Sequence, residues 1–251
     1  MTLNEIIDIV KKQLMIDFNC KESDFEAGKI TITDLKEDKD AIKYCDVESA
    51  MKGVCFGGAA VFSVGPTLVA DFNRLLGGKD PAWIFDPQSL IKFSEILYLH
   101  GHNLGNMIQY YIPNPDAPKT EPICEIRKIE KADALKYMPE AASTLDFKAI
   151  AAIKDGKIVG IAGASKKANK MWEIGIEVNE EYRGQGIAVN LVGLLKDEIL
   201  AMNEVPYYGT ASSHTISMSV GVNAGFMPCF TRLYSRPRDD EFLHIHSTDP
   251  V

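Results

Sequence analysis

Hydrophobic and polar positions alternate along this chain in blocks that predict its elements. Leu3, Ile6, Ile7, Val10 and Leu14 keep one apolar stripe at helical spacing, and Thr2 with Glu5 has the spacing of a capping box, so a first helix opens at the N-terminus. Lys29–Thr33 alternates as a strand does, and 58–64 reads as a buried strand. Pro66 marks a helix start whose face is Leu68, Val69, Phe72, Leu75 and Leu76, closed by Gly77 and Gly78. A further helix begins at Asp86-Pro87 and stops near Gly101. Pro113, Pro115, Pro118 and Pro122 then interrupt the pattern, which predicts a linker and a division near residue 120.

Beyond this stretch strands come first. Cys124–Ile129 is a short strand, and a helical segment follows over Asp133–Met138. Phe147–Ile153 and Ile158–Ala164 make a hairpin about Asp155-Gly156, a strong two-residue turn signal. In Met171–Val178 the residues Trp172, Ile174, Ile176 and Val178 share one face, with Glu173 and Glu177 on the other. A long helix over 186–202 buries Ile187, Leu191, Leu194, Leu195, Ile199 and Met202. Tyr207–Ala211, a short helix over His214–Ala224 and a strand over Met227–Ser235 complete the pattern.

Composition narrows the function. Among 251 residues, Lys plus Arg number 27 and Asp plus Glu 35, a net charge of −8. That balance argues against a nucleic-acid binder, which needs a basic face, and tilts against anionic substrates. Five cysteines without a close pair fit reduced thiols in a cytosol better than disulfides or a metal knuckle. The start of the chain has neither the basic region nor the apolar run of a signal peptide. The uncharged run Gly53–Ala70 carries too many glycine, proline and polar breaks to span a membrane. A cytoplasmic protein with no membrane partner is expected. His244 and His246 share a strand face, but nothing of Cys or carboxylate type completes a metal site around them.

The informative segment is Val178-Asn179-Glu180-Glu181-Tyr182-Arg183-Gly184-Gln185-Gly186-Ile187-Ala188. A strand ends, a loop supplies an arginine and two glycines, and an amphipathic helix opens at once. The first amides of a helix lack internal partners and face anions with the positive end of the helix dipole. Glycines let the backbone come close to a pyrophosphate, and Arg183 adds a charge-assisted contact. Two other phosphate motifs fail. Val189 stands where a dinucleotide fingerprint needs its third glycine, and the Gly-Lys-Ser/Thr of a P-loop is absent.

With its flanks, the segment resembles the GNAT superfamily of N-acetyltransferases. Arg183-Gly184-Gln185-Gly186-Ile187-Ala188 matches that family's Arg/Gln-x-x-Gly-x-Gly/Ala signature, and the run from Ser213 to Gly225-Phe226 is similar to its late helix. The resemblance implies a mixed, mostly antiparallel sheet flanked by helices over 119–240, an α/β (α+β) architecture. A smaller α/β domain over 1–118, a substrate lid or a degenerate GNAT-like half, would precede it, and a tail over 241–251 would follow. A chain in two parts also resembles GNAT proteins with an extra N-terminal domain, some antibiotic-resistance acetyltransferases among them.

The family further implies acetyl-coenzyme A as cosubstrate, bound where two central strands splay, here Met171–Val178 and Tyr207–Ala211. By this resemblance Ile176, Glu177 and Val178 pair with the pantetheine arm through their main chain, and Arg183, Gly184, Gln185, Gly186, Ile187 and Ala188 grip the pyrophosphate. His214 and Ser217 also contact the cofactor. A small-molecule primary amine then attacks the thioester directly. Glu173 is the first choice of base, Glu177 the second, and a water chain the alternative to either. The family's helix tyrosine falls on Gly221, which leaves His214, or a hydroxyl from Tyr207, Tyr208 or Tyr234, to supply the proton. A non-catalytic acyl-coenzyme A sensor is the rival expectation. An amino acid, an aminoglycoside-like antibiotic, a polyamine and a protein N-terminus are all open as acceptors.

Overall fold

The computed structural model describes residues 1–43, 48–137 and 146–238. Among them are six α-helices and ten β-strands, distributed over two compact units that interleave along the chain. The first unit comprises Met1–Asp17, Asp38–Lys43 and Ile108–Thr231, and the second Phe18–Glu37, Tyr44–Met107 and Arg232–Val251. The fold is mixed α/β, as the sequence pattern predicts.

In the first unit, helix α1 (Leu3–Asp17) buries Ile6, Val10 and Leu14. Its capping box forms: Thr2 N donates to Glu5 Oε2 at 2.7 Å and Glu5 N to Thr2 Oγ1 at 3.3 Å. Strand β5 (Glu125–Lys128), the short helix α4 (Lys131–Ala134), β6 (Phe147–Lys154), β7 (Lys157–Ala168) and β8 (Met171–Val178) follow. Then come α5 (Ile187–Ala201), β9 (Val205–Ala211) and α6 (Thr215–Asn223). β5 to β8 form an antiparallel meander, and β8 meets β9 in parallel. The hairpin turns at Asp155 and Gly156, whose φ angles of 51° and 73° are those a two-residue primed turn requires.

Helix α5 lies on this sheet. Ile187, Leu191, Leu195 and Ile199 pack with Trp172, Ile174, Tyr208 and Phe226 in one buried cluster, whereas Leu194 is only partly buried and Met202 is exposed. The proline-rich stretch, read from sequence as a linker, is a strap along α5. Asn190 Nδ2 donates to Glu121 O at 2.7 Å, Thr120 N donates to Asp197 Oδ2 at 2.7 Å, and Gly193 lets Thr120 lie against the helix. Residue 120 thus falls inside the run Ile108–Thr231 of the first unit. The helical segment expected over Asp133–Met138 is helical over Lys131–Ala134, and Met138 lies outside the described residues.

The second unit holds β1 (Ile30–Asp34), β2 (Met51–Phe56) and β3 (Ala59–Val64), with helices α2 (Val69–Leu76) and α3 (Pro87–Leu99). β3 pairs in parallel with β1 and antiparallel with β2. Phe62, Phe72 and Phe93 form the centre of its core. The uncharged run Gly53–Ala70, read as a strand over 58–64 followed by a helix start, contains the end of β2, all of β3 and the first residues of α2, with β2 and β3 joined by Gly57 and Gly58 at φ 60° and 81°. Two further strands, β4 (His102–Pro113) and β10 (Phe226–Pro237), have one half in each unit. β4 was not legible from the pattern. In the first unit its residues 108–111 pair antiparallel with β9. No helix among the described residues is long and apolar enough to cross a membrane.

Candidate functional site

Strands β8 and β9 stay paired for only three residues. Met171 faces Val205, Trp172 faces Pro206, and Glu173 faces Tyr207. Beyond that point β9 turns to β4, with Tyr208 opposite Tyr111 and Ala211 opposite Ile108, while β8 keeps β7 as far as Val178 opposite Gly160. Among the described residues, the edge of β8 from Ile174 to Val178 therefore has no ladder partner on the β9 side. An extended chain can add to such an edge through main-chain hydrogen bonds.

The free edge runs into the glycine turn. Glu180–Tyr182 makes one short 3-10 turn, Gly184 takes φ 74°, and Gly186 takes φ 79° as the N-cap of α5, with no side chain capping the helix. These left-handed angles explain why glycine stands at both places. A Cβ at 184 would meet nothing within 4 Å, and one at 186 only Ile123 Cδ1 at 3.8 Å. The approach to the leading amides of α5 is open. Arg183 is exposed, its Nε donating to Val178 O at 3.3 Å and its Nη1 lying 3.4 Å from Glu180 Oε1. A loose, solvent-exposed pair of this kind costs little to exchange for another anion.

Two neighbours of this turn were missed from sequence. Lys154, at the end of β6, donates from Nζ to Gln185 Oε1 at 2.6 Å, and its ammonium stands 5.9 Å from the Tyr182 ring centroid. Ile123, exposed at the end of the strap, brings an apolar side chain beside Gly186. Neither carries a local signal: each reaches the turn through sheet register or helix packing.

At the head of α6, His214 is the N-cap, its Nδ1 accepting from Ser217 N at 3.1 Å. The hydroxyls of Ser217 and Tyr208 lie 2.6 Å apart. Tyr208 is buried, and a Cβ on Gly221 would come within 3.0 Å of its Cδ1. Burial raises the Tyr208 phenol above its ordinary pKa and the nearby Tyr111 adds to this, against the opposing bond to Ser217.

Glu173 is the last residue of β8 paired with β9, with Lys167 Nζ 4.0 Å from its Oε2, and Glu177 is exposed four residues on. By strand alternation both carboxylates face away from α5, on the sheet side opposite Tyr208. The structure thus brings Glu173, Tyr208 and Ser217 to the point where the strands part, and Arg183–Ala188 to the far end of the free edge. Among the described residues no group of three or more His, Cys, Asp or Glu side chains is placed to hold a metal. His244 and His246 lie outside the described residues.

A parted pair of parallel strands leading into a glycine-capped helix is the arrangement that the resemblance of the sequence implies. Residues 110–219 match the sequence model of the acetyltransferase (GNAT) family, and this segment is a GNAT acetyltransferase domain. Members of that family use acyl-coenzyme A. No curated protein matches the chain in sequence. Similar solved structures include a GNAT-family acetyltransferase from Colwellia psychrerythraea, at 11% identity and TM-score 0.47 over 95% of this chain and 98% of that one. A GCN5-related N-acetyltransferase-like protein from Streptococcus suis shares 15% identity at TM-score 0.46, over 71% and 79%. A GCN5-related N-acetyltransferase from Sphaerobacter thermophilus shares 16% at 0.44, over 72% and 74%.

Proposed function

We propose that the protein transfers an acetyl group from acetyl-coenzyme A to a primary amine of a small molecule, by direct attack within a ternary complex. The observation that carries this reading is the parting of β8 and β9 after Glu173 and Tyr207, with the freed edge leading into the open glycine turn. The residues present fit the cosubstrate: positive-φ glycines leave room for phosphate oxygens, the uncapped head of α5 offers amides, and Arg183 and Lys154 supply positive charge. The main chain of Ile176, Glu177 and Val178 pairs with the pantetheine arm. Bound there, acetyl-coenzyme A supplies an acyl group activated as a thioester.

The chain's own work is then positioning and proton transfer. Glu173 takes the proton of the incoming ammonium, directly or through one water. Unpaired N–H groups of the β8 edge steady the developing oxyanion. Tyr208, on the other side of the sheet, gives a proton to the departing sulfur while Ser217 donates to the Tyr208 oxygen, and the second proton lost by the acylated nitrogen restores the phenol. His214 serves as the α6 cap that holds Ser217 in place. A tyrosine standing over Gly221 supports turnover rather than a sensor that has lost its proton donor.

The test is release of free thiol from acetyl-coenzyme A with a panel of primary amines, read with a thiol reagent, for wild type and Glu173→Gln. Amine-dependent release that falls about 10²–10⁴-fold in the variant is expected. Binding of coenzyme A without release for any amine would replace this reading with the non-catalytic one.

A further inference from the structure

A cavity of about 520 Å³ lies within the first unit, lined by Gln13 and Ile16 of α1, Lys39, Asp40 and Ala41 of the segment Asp38–Lys43, and Lys167–Asn169 at the end of β7 and the start of its turn into β8. Its volume is that of a small-molecule site. All of its wall except Lys167–Asn169 lies outside residues 110–219, so the family match assigns it nothing.

Three features make it a built site rather than a surface dimple. Its wall is pinned by a buried polar network: Gln13 Nε2 donates to Asp17 Oδ1 at 2.8 Å and to Asp40 O at 2.9 Å, and Ile42 N donates to Asp17 Oδ1 at 2.8 Å. Gln13 and Asp17 are 5% and 4% exposed, and polar groups are taken out of water at that cost only when their bonds are made. The second feature is a β-bulge. Lys166 faces Trp172 and Ala168 faces Met171, which leaves Lys167 as the extra residue, and a bulge re-aims the side chain it carries. Thirdly, Lys167 joins this cavity to the parted strands, because its Nζ stands 4.0 Å from Glu173 Oε2.

The charges lining the cavity are two lysines, Lys39 and Lys167, against Asp40. We propose that this cavity receives the acceptor, and that the acceptor is a small amino acid-like molecule carrying an anionic group besides its amine. Lys39 and Lys167 hold the anion, Asn169 offers a neutral hydrogen-bonding partner, and the amine end lies toward Glu173. This class runs against the net charge of −8, because the local lysines rather than the overall field decide at contact distance. The inference rests on the acetyltransferase reading for the identity of the ligand as acceptor, but not for the presence of an anion-selective site.

Calorimetry on the full chain, with and without coenzyme A, tests both parts. The probes are matched pairs that differ in a carboxylate: β-alanine against ethylamine, 4-aminobutyrate against propylamine, and lysine against cadaverine. In each pair the carboxylated amine should bind at least tenfold more tightly. Lys39→Glu should remove that preference, whereas Lys36→Glu, an equal charge change beside Asp34 and outside the lining, should keep it. Both variants should retain the coenzyme A heat signal. Equal or tighter binding of the decarboxylated partners, or a preference that survives Lys39→Glu, overturns the inference even if coenzyme A binds. Carboxylate preference sensitive to Lys39, without any coenzyme A signal in wild type, would uphold the site and sink the transferase reading instead.

Discussion

The aromatic ring of Tyr208 fills the volume in which a side chain at position 221 would stand: a Cβ on Gly221 would lie 3.0 Å from Cδ1 and 3.4 Å from Cε1 of that ring. The ring needs the glycine, and its hydroxyl is aimed by Ser217 at 2.6 Å. Tyr208 directly follows Tyr207, the last residue of β9 that pairs with β8.

Tyr208→Phe should therefore lower kcat by about 10²–10⁴-fold with KM for acetyl-coenzyme A little changed. The donor is the neutral phenol, and burial first, then Tyr111, hold its pKa above the ordinary value of 10.0. Wild-type kcat should accordingly decline on the alkaline side only above pH 10.0, and the variant should lack that decline. The titratable group beside it is Tyr111 of β4, so Tyr111→Phe is the control that separates the two phenols. A pH–rate profile of all three proteins checks this.

Gly221→Ala should move activity more than stability. A helix interior gains about 1 kcal/mol on this exchange, against an overpacking cost of about 1–3 kcal/mol if the ring must yield. The two nearly cancel, so Tm should shift by only a few degrees, while the displaced hydroxyl lowers kcat. Paired melting curves and single-turnover rates distinguish the effects.

The first unit should lose stability on acidification through Glu204. Burial alone would raise this carboxyl, but hydrogen bonds from Lys166 and Trp172 and the Lys166 charge outweigh it, so its pKa lies below the ordinary value of 4.5. A depressed carboxyl contributes fully above its unfolded pKa, and the contribution disappears as pH falls through the folded one. The window therefore opens near pH 4.5 and extends below it. Glu204→Gln should cost about 1–3 kcal/mol at neutral pH and flatten the dependence of stability on pH across that window. Denaturant titrations at several pH values measure both.

Cys55 and Cys229 should resist alkylation in the folded chain. Burial pushes both thiols up to about 12, and the thiolate is the reacting form. Iodoacetamide at pH 8 should label them only after denaturation, as peptide mass spectrometry would show.

Local signals carried much of this structure and non-local ones very little. Asp155-Gly156 turned a hairpin because its backbone demands are met within two residues. Asp86 capped α3 by accepting from Ser89 N at 2.7 Å, a bond three residues long. The signature Arg183–Ala188 was readable for the same reason. β4 was not, because its alternation is broken by Gly105 and its partner β9 lies far along the chain. The strap also escaped: prolines deny a ladder, yet Asn190 and Asp197 supply side-chain partners for its backbone. Tyr208 could be proposed as one of several hydroxyls, but choosing it needed the register of β9 and the missing side chain at Gly221. Lys154 and the cavity lined by Lys39 and Lys167 had no sequence signal at all.

The most direct test of the account is thermal unfolding with acetyl-coenzyme A, coenzyme A, NAD and ATP in parallel, for wild type and Gly186→Glu. A ligand at a hundred times its Kd stabilises by about 2.7 kcal/mol, or roughly 5–10 °C for a chain of this size. At φ 79° a glutamate is strained, and its charge would stand at the head of α5 where phosphate must bind. The account predicts a shift of this order with the two coenzyme A forms in wild type, little with NAD or ATP, and its loss in the variant. Equal melting of wild type with and without coenzyme A would contradict it.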